Sequence, residues 1–355
     1  MVVYLLILFF LIFSSLISSA IKKGRNKHLF WMMLMMMLIS SFRAYYIGAD
    51  YIRYVPIFQR IQIVGLEHPY EKGYVLLNLL AGKISENYWS LGLCVNLLIF
   101  SSLYVYIKKN ISEKYYYFIL LVFYLNPYMY IQTSFNVLRQ GCATAFILIA
   151  VQALNEKKWA KYFILVLVSA QFHSLGYIFL LLSLTKIIKW RKSYFYIILG
   201  VSTFINVVLS NLEFMRKIFS YFDFDGYTTY GTTMFDFKIF TLFIVVVVCL
   251  LIHNYNDLTK RDEKKQYFIN VYLLSLCLLP IFVKNDMTYR IYIIFSFISL
   301  PAISYILDTF YRIGNKILYN TFKWGYMMYY FALWSAFLIS QRENFAYIPF
   351  VFYWQ

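Results

Sequence analysis

A few short stretches hold the residues best suited to chemistry: Arg43 with Asp50, Arg53 and Tyr54; Glu71; Asn136 with Arg139 and Gln140; His173; and Arg290. Arginine offers a planar fork that grips phosphate through two parallel hydrogen bonds, whereas lysine acts as a point charge. Arg43, Arg139 and Arg290 each adjoin apolar or aromatic sequence near the end of an apolar run, where a charge is costly unless it faces water or a partner. Together with Arg53 they are candidate phosphate ligands. On a continuing helix Arg43, Asp50 and Tyr54 would share one face. Asp50 can then form a structural ion pair with Arg43 or Arg53, hold an arginine in place, or accept a proton from a sugar hydroxyl. Gln132, Asn136, Arg139 and Gln140 are spaced for one helical face at the start of an apolar run, where free N–H groups favour an anion. The same four can instead form a polar stripe joining helices. His173, in Gln171-Phe172-His173-Ser174, is the first choice as general base, with Asp50 and Glu71 as carboxylate alternatives; its other reading is a packing residue.

No histidine pair stands at i, i+4, and there is no P-loop, G-x-S-x-G, H-E-x-x-H or paired C-x-x-C pattern. Zinc, ATP-driven, hydrolase and redox chemistry are therefore not expected, and neither is a cofactor. Asp223-Phe224-Asp225 is a D-x-D triplet that could hold a divalent ion, but a solvated loop explains three letters as well.

The elements that position these residues are helices crossing a bilayer. The 355 residues are 62% hydrophobic, 22% aromatic and 14% charged, too few charges for a soluble surface. Apolar runs of about 17–25 residues recur, the length a hydrocarbon core demands. The expected fold is all-α and polytopic, with about twelve spans near 2–21, 29–47, 88–107, 115–131, 137–154, 159–172, 174–189, 193–212, 238–254, 267–283, 288–307 and 325–341. Basic loops after alternate spans hold most of the 33 Lys and Arg, so the net charge of +17 marks the inner side rather than a nucleic-acid surface. Both termini then lie outside. The run from Val2 to Ile21 precedes its basic cluster, which suits an uncleaved first span better than a signal peptide. Cys94, Cys142, Cys249 and Cys277 all sit in apolar runs as reduced packing residues. The chain reads as one integral membrane domain, 1–355, with two long outer segments, 48–87 and 213–237. Within the first, Tyr70 to Leu80 reads as an amphipathic helix near the interface.

Arg43 with Gly48-Ala49-Asp50-Tyr51 and Tyr54, then Glu71-Lys72-Gly73-Tyr74, Asn136-Val137-Leu138-Arg139-Gln140, Phe172-His173-Ser174 and Arg290 follow one another in a telling order. In this the chain resembles the EpsG family of polysaccharide polymerases, relatives of Wzy-type O-antigen and capsule polymerases. Ala49 departs from the pattern, which has a small hydroxyl residue there. The resemblance implies a GT-C-like glycosyltransferase on the outer, periplasmic face of the bacterial plasma membrane. Such an enzyme moves a growing glycan from undecaprenyl diphosphate to the non-reducing end of an incoming lipid-linked repeat unit. The lipid diphosphate activates the donor, so no nucleotide is needed. Implied partners are the two lipid-linked oligosaccharides, membrane lipid, a repeat-unit flippase and a chain-length regulator. Arg139 and Arg290, with Arg43 or Arg53, would take the diphosphates, and Tyr54, Asn136 and Gln140 would complete the substrate-binding set. A flippase for lipid-linked oligosaccharide would use similar arginines. A polyprenyl-phosphate-sugar transferase would be favoured by a metal at Asp223 and Asp225. A membrane acyltransferase would use a histidine, but would draw its donor from the inner side, where the loops are short and lysine-rich.

Overall fold

Inside a bilayer every backbone N–H and C=O must be satisfied within the chain, and an apolar sequence meets that demand by forming helices. The structure, a computed structural model, describes residues 2–20, 24–48, 50–209, 238–260, 262–282, 286–340 and 347–354. Among the described residues there are helices and no strand, as the all-α expectation requires, apart from an isolated antiparallel bridge between Arg43 and Phe352. The second outer segment, 213–237, with Asp223 and Asp225, lies outside the described residues, as do Ala49 and Lys284.

In chain order the elements are α1 (Val2–Ala20), α2 (Arg25–Ser41), α3 (Tyr51–Val64), α4 (Lys72–Ile84), α5 (Trp89–Asn110), α6 (Tyr116–Leu125), a π-helical segment (Tyr128–Asn136), α7 (Leu138–Asn155) and α8 (Trp159–Ala170). A 3-10 helix (Ser174–Ser183) follows, then α9 (Leu184–Ile187), α10 (Lys192–Leu209), α11 (Lys238–His253), α12 (Tyr255–Thr259) and α13 (Glu263–Cys277). The rest are α14 (Leu279–Phe282), α15 (Asp286–Ile298), α16 (Leu300–Arg312) and α17 (Lys316–Ser340). Among the described residues α5 alone is both long and apolar enough to cross a membrane as a single helix. Thr288–Ile298 and Leu300–Arg312 meet that test together, across a 50° bend. Pro301, which disfavours helical backbone in the residue before it, sits at that break.

Several expected spans are interrupted, each for a local reason. The one expected over 29–47 stops at Ser41, because Arg43 donates to the carbonyls of Ser40 and Ile47 (3.3 Å for the latter) and closes the helix end. The run over 115–131 breaks at Asn126-Pro127 and rewinds as a π-helix, with Gln132 N–H reaching Pro127 C=O (2.7 Å) and Val137 N–H reaching Gln132 C=O (2.9 Å). Isolated π-turns are rare and gather at functional sites. Within 48–87 the chain forms two helices, α3 and α4, joined by a 3-10 turn at Gly65–Glu67.

Two units divide the chain, Met1–Ser183 with Phe310–Gln355, and Leu184–Thr309. In the first, α7 packs against α5 and α8, and α5 against α2 and α4. Its face is rich in small buried residues, among them Ala143, Ala145 and Ala150, which let backbones approach closely. Buried tyrosines fasten the core by donating to main-chain carbonyls: Tyr4 to Tyr347 (3.1 Å), Tyr130 to Met36 (3.1 Å) and Tyr124 to Tyr4. The C-terminal stretch 347–354 returns as a strap, with Ala44 N–H to Val351 C=O (2.9 Å) and Tyr353 N–H to Phe42 C=O (3.0 Å). In the second unit, Asp262 caps α13 by accepting from Lys264 and Lys265 N–H, and Lys265 lies 3.8 Å from Asp308. The Tyr255 hydroxyl donates to Asn270 there (2.8 Å).

Candidate functional site

The first unit gathers four of the motif stretches at neighbouring helix ends. Glu71 precedes α4 and Arg139 lies in the first turn of α7; their side chains pair at 2.7 Å, with 22% and 24% of each exposed. The Arg139 guanidinium lies 4.3 Å above the Tyr70 ring, a cation–π contact, and Tyr54 adds a side-chain hydrogen bond. Arg139 Nε is enclosed without a hydrogen-bond acceptor. Tyr70 is itself held: its N–H donates to His68 Nδ1 (3.3 Å), and the two rings meet edge-on at 4.9 Å. Burial, with Arg60 and Lys72 adding to it, holds the His68 imidazole below its ordinary value. Tyr54 and Tyr74 extend the aromatic wall, with ring centroids 5.9 Å apart.

Gly73 explains how α4 reaches this position. A Cβ there would lie 2.8 Å from the Gln171 carbonyl oxygen and 3.0 Å from the Phe172 ring, so glycine lets α4 rest directly on the turn after α8. Tyr74 N–H then donates to Gln171 C=O (3.1 Å), and Phe172 stacks on Phe146 of α7 at 5.0 Å. The same turn holds His173, half-buried, with Nδ1 accepting from Leu175 N–H (3.2 Å). That bond places the proton of the neutral ring on Nε2, which makes the ring a hydrogen-bond donor there.

Arg43 and Asp50 occupy a different setting. The span ends before Arg43, so Arg43, Asp50 and Tyr54 do not share one helical face. Arg43 is fully buried. It donates to the Phe135 carbonyl (2.6 Å) as well as to Ser40 and Ile47, and lies 3.7 Å above the Tyr51 ring and 5.1 Å from that of Phe135. Asp50 N–H donates to Asn136 Oδ1 (2.6 Å), and Gly48, with φ +103°, presses on Phe135 where a Cβ would come within 2.7 Å of its carbonyl. The turn at 43–50 is thus clamped to the end of the π-helical segment. That segment also separates Gln132 and Asn136 from Arg139 and Gln140, which fall on α7 beyond a break at Val137 (φ −87°, ψ 63°). The expected single polar face is therefore split in two. Gln140 is buried on α7, and Arg53 is exposed on α3. Arg290 stands on α15 of the second unit, partly exposed.

Sequence reasoning missed Tyr70 as the platform beneath Arg139, although a tyrosine next to Glu71 was visible. It also missed the C-terminal strap, for which an aromatic cluster, Tyr347-Ile-Pro-Phe-Val-Phe-Tyr-Trp354, was the available signal. Among the described residues no group of three or more His, Cys, Asp and Glu is placed to hold a metal ion. No curated protein and no solved structure matches the chain. A family model does: it spans residues 26–352 and takes in every motif described above, so the chain belongs to the EpsG family, membrane proteins of polysaccharide biosynthesis.

Proposed function

We propose that this protein is an O-antigen or capsule polymerase with a GT-C-like catalytic centre. It transfers a growing glycan from undecaprenyl diphosphate to the non-reducing end of a lipid-linked repeat unit on the outer face of the plasma membrane. The observation that carries the reading is Arg139: a guanidinium held over an aromatic ring, partly exposed, with a fork nitrogen still lacking an acceptor. Such a group suits a diphosphate, whose oxygens can fill the fork and whose charge grows as the glycosidic bond to it breaks. The tyrosines around it offer faces for sugar rings. A leucine-lined groove of about 400 Å³ along α4, bordered by Gln62 and Lys83, offers the prenyl chain an apolar path. His173 donates from Nε2 to a substrate oxygen. Arg53 is a further diphosphate ligand, while Arg43 shapes the site through the framework.

The test is a glycan ladder from a strain lacking the protein and complemented with variants. Arg139→Ala and Arg139→Lys each leave single repeat units on the lipid, because lysine keeps the charge without the fork. A well-aimed donor of this kind is worth about 2.7–4 kcal/mol, so turnover falls roughly 10²–10³-fold. Normal polymer from Arg139→Lys would remove bidentate phosphate binding at this position. A strain carrying no lipid-linked unit on the outer face at all would indicate export instead.

A further inference from the structure

We propose that Glu71 is the general base for the acceptor hydroxyl, and that the donor's diphosphate sets it free by taking its place on Arg139. This rests on the diphosphate reading of the site. The two partners of the ion pair differ in how firmly they are held. Arg139 is seated on Tyr70, and Tyr70 is fixed from behind by His68, whose ring and Nδ1 both engage it. Glu71 precedes α4 with extended backbone (φ −55°, ψ 133°), and its side chain is partly exposed. The carboxylate can therefore rotate away while the guanidinium stays.

Direction follows from the count of oxygens. The carboxylate reaches Arg139 through Nη1, and Nε is left without an acceptor. A diphosphate brings more oxygens and more charge to the same fork, so exchange favours it. A carboxylate committed to a guanidinium is a poor proton acceptor, because its lone pairs and charge are already engaged. Released beside the bound donor, it regains both.

The step balances as follows. The acceptor hydroxyl oxygen bonds to the donor's anomeric carbon as the bond from that carbon to the diphosphate oxygen breaks. The electron pair leaves with the lipid diphosphate, whose charge Arg139 holds, and the hydroxyl proton passes to the Glu71 carboxylate. When the lipid diphosphate departs, Glu71 gives the proton to water and returns to Arg139. Donor must bind before the acceptor can be deprotonated.

The experiment uses the full chain in nanodiscs, with farnesyl diphosphate as probe and farnesol as its phosphate-free control, alongside polymerisation of purified lipid-linked repeat units. Glu71→Gln keeps the shape of the side chain but removes its charge. Farnesyl diphosphate then binds about two- to fivefold more tightly, the worth of a partly exposed ion pair no longer in competition. Turnover falls about 10²–10⁴-fold, the usual contribution of a general base. Glu71→Asp, which keeps a carboxylate on a shorter arm, recovers part of that turnover and serves if the glutamine variant does not fold. Unchanged or weaker binding in a folded Glu71→Gln protein overturns the displacement. Wild-type turnover in that variant overturns the base. If Arg139→Ala keeps the wild-type preference for farnesyl diphosphate over farnesol, the diphosphate reading itself fails, independently of Glu71.

Discussion

Arg43 is the sharpest test of how the fold supports the site. It is fully buried, and its fork is spent on main-chain carbonyls of Ser40, Ile47 and Phe135. Hydrogen bonds to a charged group are worth about 1.5–3 kcal/mol each. The Tyr51 ring at 3.7 Å adds about 2 kcal/mol when desolvated. These contributions are not additive, and burying the charge offsets part of them. Arg43→Ala leaves those carbonyls without their donor in an enclosed site, at about 1–3 kcal/mol for an unsatisfied acceptor, and with the buried charge also gone the net loss is about 3 kcal/mol. Arg43→Lys keeps the charge but cannot span all three carbonyls, and loses about 1.5–3 kcal/mol, one such bond. The assay is thermal unfolding of the purified protein in detergent, read by intrinsic tryptophan fluorescence, with farnesyl diphosphate binding measured per folded molecule. A loss near 3 kcal/mol lowers the midpoint by roughly 4 °C in a chain of 355 residues. Binding per folded molecule stays close to wild type at low temperature. The reasoning is refuted if Arg43→Ala melts with the wild type and yet no longer binds the diphosphate. That result would make Arg43 a substrate ligand and its carbonyl contacts incidental.

Two further outcomes follow from the structure. Gly73→Ala puts a Cβ 2.8 Å from the Gln171 carbonyl, so α4 must lift off the turn holding His173; the overpacking costs about 1–3 kcal/mol, and ladder length should fall more than the amount of protein in the membrane. Glu156, in the turn between α7 and α8, is held down to about 2 by hydrogen bonds from Lys109, Lys158 and Gln152. Its stabilising contribution is complete above the ordinary carboxylate value and fades as pH falls toward 2. The side chain is 29% exposed, so Glu156→Gln costs only about 0.5–1 kcal/mol. Melting curves of wild type and variant should stay apart from pH 8 to about 5 and converge as the acid limb is entered. A gap unchanged down to the lowest pH the protein tolerates contradicts the assignment.

Composition and apolar periodicity were enough to predict helices, because hydrocarbon permits little else, and α1, α5, α7 and α8 fall close to where the sequence places them. Their interruptions were harder to see. The π-helical rewinding after Pro127 depends on i to i−5 bonds that resemble an ordinary helix in any residue pattern. The stop after Ser41 depends on a guanidinium turning back to carbonyls, which residue type alone does not specify. For the site, clustering of polar residues pointed to Arg139 and Glu71, and the chain order of the motifs pointed to the family. What spacing could not convey was partner choice. Helical registers assumed to run on across 43–54 and 132–140 are broken, so the faces inferred from them do not exist as drawn.

Arg43 and Arg139 look alike in sequence, and what separates them is the kind of oxygen each fork meets. A main-chain carbonyl cannot leave a buried guanidinium without local unfolding, whereas a side-chain carboxylate rotates away for the smaller cost of a partly exposed ion pair. Of the two, Arg139 is therefore the one able to exchange its ligand, and Arg43 the one able to hold a shape while it does so. The two are joined through consecutive residues. Phe135 gives its carbonyl to Arg43, Asn136 accepts from Asp50, and Val137 turns the chain into α7, where Arg139 follows two residues later. Arg43→Ala therefore costs stability at this joint, while in the molecules that stay folded the bond from Asp50 N–H to Asn136 still sets where α7 and Arg139 begin.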